Sequence, residues 1–336
     1  MTILITGATG LVGFHIAKLI RTQKPDISIK CLIRSNKVYK DLSGLDIETM
    51  RGDLLNKESL ECALSGVETV YHAAAEVREN ASSDAYYKTN VIGTQNLVES
   101  FVKNDGKKFL HVSTAGVYGY RLPNLPVKED NSIKIKHPYH TSKLMAENEV
   151  FKSAKEYGFF TSVIRPPMIV GPGDRHVAPA FFKMVISQKT IPLISGGTKS
   201  VMSFAHVEDV VQALVACGET NNASGEAFNV CSFAAAPKEI FDTVGNVCGV
   251  MPKYLKIGYS TAYTLGILSE FLSKISGKKN PKITRRRIKQ LGSTRMYDTT
   301  KIEKVVKFKP KFNMKRSLEH AYQWMKEERL IEQWKQ

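Results

Sequence analysis

At 336 residues, with 43% hydrophobic and 24% charged side chains, the chain has the composition of a soluble globular protein and the length for two or three domains. Five cysteines, at 31, 62, 217, 231 and 248, never fall in C-x-x-C spacing and the eight histidines are scattered, which argues against a disulfide framework and against any metal. The net charge of +16 is regional: Lys274 to Arg316 holds sixteen Lys and Arg against two acids, and with no aromatic interleaving this argues against nucleic acid and leaves a solvated basic face or a peripheral contact of region 274–316 with an anionic membrane surface.

Ile3, Leu4 and Ile5 form a short apolar run that reads as a buried strand, and it starts so early that no signal peptide fits before it; a cytoplasmic protein is the expectation. Gly7, Gly10 and Gly13 follow in G-x-x-G-x-x-G spacing, and after Gly10 the apolar residues Leu11, Val12, Ile16, Leu19 and Ile20 recur at helical intervals. A strand, a glycine turn and a helix in that order make a dinucleotide cradle. Gly7 permits the tight turn, Gly10 lets the backbone approach a pyrophosphate, and Gly13 lets the helix pack against the sheet. The phosphates then face the amides of Gly7, Thr9, Gly10, Leu11 and Val12 at the positive end of the helix.

The second strand, Ser28 to Ile33, ends in Arg34, with Lys37 close behind and no acid before Asp41. A carboxylate there suits a ribose 2′-hydroxyl, whereas a guanidinium grips a 2′-phosphate, so the segment favours NADP(H) over NAD(H). Glu48 to Arg51 is a third strand. Asp53, with Leu54 beside it, either accepts a hydrogen bond from the adenine amino group or caps a helix over Ser59 to Leu64. Val67 to Tyr71 is a further strand, running into the small residues Ala73, Ala74 and Ala75, where a cofactor can approach closely.

Tyr86 to Phe101 reads as a helix containing Asn90, and Leu110 to Ser113 as a strand leading into Thr114 and Ala115. A helix opening at Tyr139 puts Lys143 four residues on and therefore on the same face. An ammonium beside a tyrosine favours the ionised phenol and lowers its pKa toward the range useful for proton transfer, while a hydroxyl from Thr114 can bond the same substrate oxygen. With a nicotinamide, these groups make a carbonyl–alcohol redox site. The apolar stretch Tyr259 to Leu272 contains Glu270 and is too short to span a membrane.

Taken in order, the segments TGATGLVG, GDL at 52–54, HAAA at 72–75, NVIGTQN at 90–96, STAGVYG at 113–119, YHTSK at 139–143, RPPMIVGPGD at 165–174 and FAHVEDVVQA at 204–213 resemble the extended short-chain dehydrogenase/reductase superfamily. The resemblance implies an α/β fold: a Rossmann-like, doubly wound parallel sheet carrying the cofactor in residues 1–165 with 203–231, and a smaller C-terminal α/β substrate-binding region in 166–202 and 232–336. By position, Tyr139 resembles the catalytic acid/base, Lys143 its partner and a ligand of the nicotinamide ribose, Thr114 the catalytic Ser/Thr in preference to Ser113, and Asn90 the supporting asparagine. Pro166 and Met168 are expected near the nicotinamide. Substrate contacts are expected from Glu76, Ala115, Tyr118, Arg175, Phe182 and Met202, with Phe181, Met184 and Ile194 as further apolar lining and His176 beside Arg175. The family also implies a homodimer through the Tyr139 helix and the Tyr86 to Phe101 helix.

Nucleotide-sugar members usually carry an arginine about where Met202 stands, and sugar dehydratases an acid and a lysine where Ala115 and Gly116 stand. These departures, with Arg34, the segment RPPMIVGPGDRH at 165–176 and the late segments Thr284 to Arg286, Tyr297 to Lys301 and Phe308 to Pro310, lean toward the branch of 3β-hydroxysteroid dehydrogenases and dihydroflavonol-type reductases. The expected activity is an NADP(H)-dependent ketone reductase or secondary alcohol dehydrogenase on a fairly apolar oxo or hydroxy compound, steroid-like, acyl or polyketide-like. A nucleotide-sugar epimerase with tightly bound NAD, and a cofactor-binding regulatory or membrane-associated protein, are the alternatives.

Overall fold

The structure is a computed structural model that describes residues 1–35, 40–119, 122, 125–131, 135, 137–275, 284–285, 288–289 and 292–334. Lys37 and parts of the basic region 274–316 lie outside the described residues.

Seven strands build the central sheet: β1 (Thr2–Thr6), β2 (Ser28–Ile33), β3 (Glu48–Arg51), β4 (Thr69–His72), β5 (Lys108–Val112), β6 (Phe160–Arg165) and, much later in the chain, β10 (Glu226–Asn229). Every neighbouring pair is parallel, in the order β10-β6-β5-β4-β1-β2-β3. Short continuous apolar runs such as Ile3, Leu4 and Ile5 suit this arrangement, because both faces of a parallel sheet are covered. Ile3 and Ile5 enter a core closed by α1 (Leu11–Gln23) and α8 (Val207–Glu219), through Ile16, Ile20, Val210 and Leu214. Leu4 enters the opposite core, closed by α3 (Lys57–Leu64), α5 (Gly93–Lys103) and α6 (Pro138–Tyr157), with Leu60, Leu97, Phe101 and Val150.

Strand order reverses between β1 and β4, and ligands of open α/β sheets bind at the carboxyl ends of the strands at such a point. The glycine loop leaves β1 there and the alanine run leaves β4. The expected helix over Tyr86 to Phe101 is interrupted: α4 (Ser83–Tyr86) leads into a π-helical turn over Tyr87–Ile92, and α5 begins at Gly93. Single π turns inside helices recur at functional sites, and this one carries Asn90.

The smaller region has a three-stranded sheet, β7 (Met168–Val170), β9 (Met202–His206) and β11 (Phe233–Ala235), and a two-stranded one, β8 (Ile191–Ile194) with β12 (Tyr254–Ile257). Residues 203–206 thus pair within the smaller sheet, and the chain rejoins the large sheet through α8 and β10. Helices α7 (Val177–Ile186), α9 (Pro237–Cys248) and Met314–Glu327 enclose a separate core around Phe182, Phe204, Ile240 and Leu318. Helix α10 (Tyr259–Ile275) buries Ala262 and exposes Leu265, Ile267, Leu268, Phe271 and Leu272. Among the described residues no helix is long and apolar enough to cross a membrane.

A Cβ on Gly13 would stand 2.2 Å from the Gly7 carbonyl oxygen, whereas one on Gly44 would meet nothing within 4 Å. Gly13→Ala is therefore expected to lower stability by about 1–3 kcal/mol in denaturant unfolding, with Gly44→Ala within about 0.5 kcal/mol of the parent. Equal effects at the two positions would count against the close packing of α1 on the loop.

Candidate active site

Gly7 adopts φ +73°, and a Cβ there would come within 2.7 Å of the Ala74 amide nitrogen. The turn off β1 therefore lies directly against the alanine run after β4. Gly10 takes the N-cap position of α1 without any side-chain cap, Thr9 and Gly10 are exposed, and Leu11 and Val12 are half-buried. The first amides of α1 thus open outward at the positive end of the helix dipole, a cradle that fits the pyrophosphate of a dinucleotide. Ala73, Ala74 and Ala75 are half-buried beside it. Arg34 is exposed just past β2, and together with Arg78, whose hydrogen bonds are the larger effect, it holds the Glu76 carboxylate below its usual range.

Asp53 Oδ1 accepts the Leu55 N–H at 2.8 Å, while Asn56 Oδ1 accepts the Ser59 N–H at 2.9 Å. Asn56, not Asp53, is therefore the cap of α3. Leu54 is buried against Gly93 and Leu97 and serves as core.

A chain of buried hydrogen bonds joins the cradle to α6. Thr6 Oγ1 meets His72 Nδ1 at 2.7 Å, His72 Nε2 meets Thr94 Oγ1 at 2.9 Å, and Thr94 Oγ1 donates to the Asn90 carbonyl at 2.7 Å. Because the Thr94 proton is committed to that carbonyl, His72 Nε2 donates to Thr94. Burial and the nearby Lys143 bring the His72 pKa down to about 3, and in the neutral ring that results Nδ1 accepts from Thr6. Asn90 continues the chain: Oδ1 accepts the Glu76 N–H at 2.7 Å and Nδ2 donates to Ser142 Oγ at 2.9 Å. Ser142 Oγ in turn donates to the Tyr139 carbonyl at 2.8 Å.

Lys143, only 2% exposed, lies 3.3 Å from His111 Nε2 on β5. Burial brings its pKa down to about 7 despite the attraction of Glu147. For Tyr139 the expectation from sequence is reversed: burial, with Tyr86 adding to it, pushes the phenol up to about 12. Lys143 is engaged by His111, and among the described residues no cation acts on the phenol to offset its desolvation.

Thr114, Tyr139, Met168 and Met202 come together on one cavity of about 460 Å³. Thr114 Oγ1 accepts the Gly116 N–H at 3.1 Å, which leaves its own proton to donate. Ser113 is buried and its hydroxyl meets no partner among the described residues; Thr114 lines the cavity and Ser113 does not. Residues that sequence reasoning did not single out share the wall, among them Tyr86, His137, His140, Pro167, Arg295 and Tyr297. His140 had a signal, its place next to Tyr139; Gly116 lies so close to its ring that a Cβ would stand 2.4 Å from Nε2. Arg295 had none, because its pairing with residues near 202 is a tertiary contact.

Other expected substrate contacts lie elsewhere. Phe182 is fully buried and stacks on Tyr322 at 5.0 Å, with Phe181 and Met184 packed on the same core. Tyr118 is buried and donates to Asn229 Oδ1 at 2.8 Å while accepting from Arg165, itself paired with Glu147. Ala115 is buried and gives its N–H to the carbonyl of Pro166, which is buried too; Pro167 is the proline at the cavity. Arg175 lies over the Trp324 ring at 5.9 Å, and the loop before α7 is held by Asp174, which accepts from the amides of His176, Val177 and Ala178. Glu76 is engaged by Arg78 and is not among the cavity-lining residues. Away from the cavity, His206, Glu208 and His320 bring ligand-type atoms within 4.8 Å of one another, but His206 Nδ1 accepts the Glu208 N–H and its ring stacks on Phe312 at 3.6 Å.

Comparison with known proteins matches residues 3–231 to a model of the NAD dependent epimerase/dehydratase family. The chain is 26% identical to a sterol-4-alpha-carboxylate 3-dehydrogenase, decarboxylating, of Candida albicans, over 97% of this chain and 98% of the relative. It is 25% identical to a 2-alkyl-3-oxoalkanoate reductase of Stenotrophomonas maltophilia, over 88% of this chain and 91% of the relative. The fold is similar to that of a UDP-glucuronic acid 4-epimerase from Bacillus cereus in complex with NAD, with a TM-score of 0.77 and 22% identity across 100% of both chains.

The lowered value of Lys143 has a stability consequence. Between about pH 7 and 10 the unfolded chain binds a proton on this amine that the folded chain does not, so its contribution makes stability rise with pH across that window. Lys143→Met is expected to raise the melting temperature by on the order of 2–4 °C at pH 7, an excess that shrinks toward pH 10. A pH-independent difference in calorimetry would contradict a neutralised amine.

Proposed function

The chain belongs to the NAD dependent epimerase/dehydratase family, and from that membership we propose that it is an NADP(H)-dependent oxidoreductase interconverting a secondary alcohol and a ketone on a fairly apolar molecule. It is an enzyme of the extended short-chain dehydrogenase/reductase type. The observation that carries the reading is the composition of the cavity: Thr114 and Tyr139 line it together with an apolar portion formed by Val77, Tyr86, Pro167, Met168, Val177, Met202 and Tyr297. Such a wall takes an apolar body and leaves two hydroxyls to meet one oxygen.

The glycine loop and the amides opening α1 would hold the pyrophosphate, and Lys143 the nicotinamide ribose. When bound, the nicotinamide supplies or takes the hydride. Tyr139 holds the proton that the substrate oxygen gains or loses, and Thr114 donates a second hydrogen bond that fixes that oxygen. Asn90, through Ser142, holds the first turn of α6 and so the position of Tyr139. His111 anchors the Lys143 amine from the strand beneath.

Arg34 supports NADP(H), because its guanidinium stands exposed past β2, where a 2′-phosphate would add a charge-assisted hydrogen bond. The two dehydrogenase and reductase relatives narrow the substrate further. Each name places a carboxyl-bearing carbon next to the carbon that carries the reacting oxygen. An apolar 3-hydroxy or 3-oxo acid is the substrate class this favours.

Tyr139→Phe is expected to lower turnover by about 10²–10⁴-fold while leaving nucleotide affinity nearly unchanged. Arg34→Asp is expected to weaken NADPH binding by about tenfold or more with little effect on NADH. Steady-state kinetics and calorimetric titration of the two nucleotides check both. Purified protein fully occupied by NAD that survives each turnover would instead favour the epimerase.

A further inference from the structure

Arg295 reaches the cavity from a segment far along the chain from Thr114, Tyr139 and Met202. Its N–H donates to the Val201 carbonyl at 2.7 Å and its carbonyl accepts the Ser203 N–H at 2.9 Å. On the other side, the Val127 N–H donates to the Met296 carbonyl and the Asp298 N–H to the Val127 carbonyl, both at 2.8 Å. The segment is thereby held extended between β9 and residue 127. Alternate side chains of an extended segment share a face, and accordingly Arg295 and Tyr297 both line the cavity while Met296 and Asp298 do not.

The guanidinium meets Met202, with Nη2 3.0 Å from Sδ. A positive charge thus stands beside the position where the sequence, read alone, offers only a thioether. Among the described lining residues Arg295 is the only Lys or Arg and Glu79, exposed, is the one acid; His137, His140, Ser203, Thr114 and the tyrosine hydroxyls are the other polar groups of the wall.

We infer that Arg295 is a specificity residue that binds a single carboxylate on the substrate, and this rests on reading the site as an alcohol–ketone oxidoreductase. A guanidinium is a planar fork with five N–H donors that matches a carboxylate at two points. One such fork beside Val77, Pro167, Met168, Val177 and Met202 fits one negative charge on a body with apolar substituents. With the carboxylate on Arg295 and the reacting oxygen on Tyr139 and Thr114, the substrate is held at both ends of a short 3-oxygenated acid unit, and its apolar substituents take the remaining wall.

The test separates binding from turnover. Calorimetric titration of the full chain, saturated with NADP⁺, uses 2-butyloctanoate, which has the carboxylate and apolar body but no oxygen to oxidise, and its methyl ester. The acid is expected to bind at least about tenfold tighter than the ester. Arg295→Met and Arg295→Gln are expected to weaken the acid by about tenfold to a hundredfold and the ester by less than about threefold, with Arg295→Lys retaining part of the preference. Equal affinity for acid and ester in the parent protein overturns the assignment, as does acid binding that neither variant alters, or Arg295-dependent binding of UDP tighter than that of the acid. If the acid binds through Arg295 yet neither 2-butyl-3-hydroxyoctanoate nor its ester is oxidised with NADP⁺ or NAD⁺, the redox reading fails and the carboxylate site stands. If both are oxidised with the same KM in parent and Arg295→Met, the redox reading stands and the carboxylate site fails.

Discussion

The site depends on one buried amide. Asn90, 1% exposed, is bonded at both ends of its side chain, to the Glu76 amide after β4 and to Ser142 on α6. A buried carboxamide left without partners carries a desolvation penalty of about 1–3 kcal/mol, so the two elements can only sit where both bonds close. That condition fixes the first turn of α6 against the switch point of the sheet. The π-helical turn over Tyr87–Ile92 is part of the same condition, since Asn90 lies within it and its carbonyl takes the Thr94 hydroxyl. Through Thr94 and His72 the constraint extends to Thr6, one residue before the glycine loop. Cradle and cavity are therefore set by one continuous network rather than by separate loops.

The same burial that orders the site determines its electrostatics. His72 and His111 sit side by side on neighbouring strands and both are held neutral by desolvation and by Lys143. Lys143 itself is brought close to neutrality, and Tyr139 is pushed well above its ordinary value. An amine kept in so dry a place opposes folding and would be retained for what it does with a ligand, in keeping with the general opposition between site and stability. By contrast, Arg165 and Glu147 pair fully and, with Tyr118 and Asn229, tie α6 and β6 to β10 behind the cavity.

Part of the cavity wall comes from segments that lie far along the chain from the residues they meet. The extended run Thr294–Asp298 brings Arg295 and Tyr297 to the wall by pairing with β9 and with residue 127. Its neighbour Met202 was legible as an apolar choice, but the charge that arrives beside it was not. Conversely, Phe182, Tyr118 and Arg175 looked like substrate contacts by chain position, yet they pack on Tyr322, Asn229 and Trp324 respectively. A helix such as α7 presents apolar residues on more than one side, and periodicity alone does not say which side meets a cavity and which a second helix.

By itself the sequence determined what depends on short-range chemistry: the parallel strands with their apolar runs, the glycine turn opening α1, the Tyr139–Lys143 spacing on one helix face, and Thr114 at a strand end. These follow from backbone sterics and local periodicity, which act between residues close in the chain. Tertiary structure alone decided that Lys143 is held by His111, that Tyr139 is desolvated rather than acidified, that Asn56 and not Asp53 caps α3, and that Arg295 stands at Met202. The physical reason is common to most of them. Burial and partner choice are properties of the space between elements distant in sequence, and a pKa or a binding charge follows that space rather than the identity of the neighbouring residue.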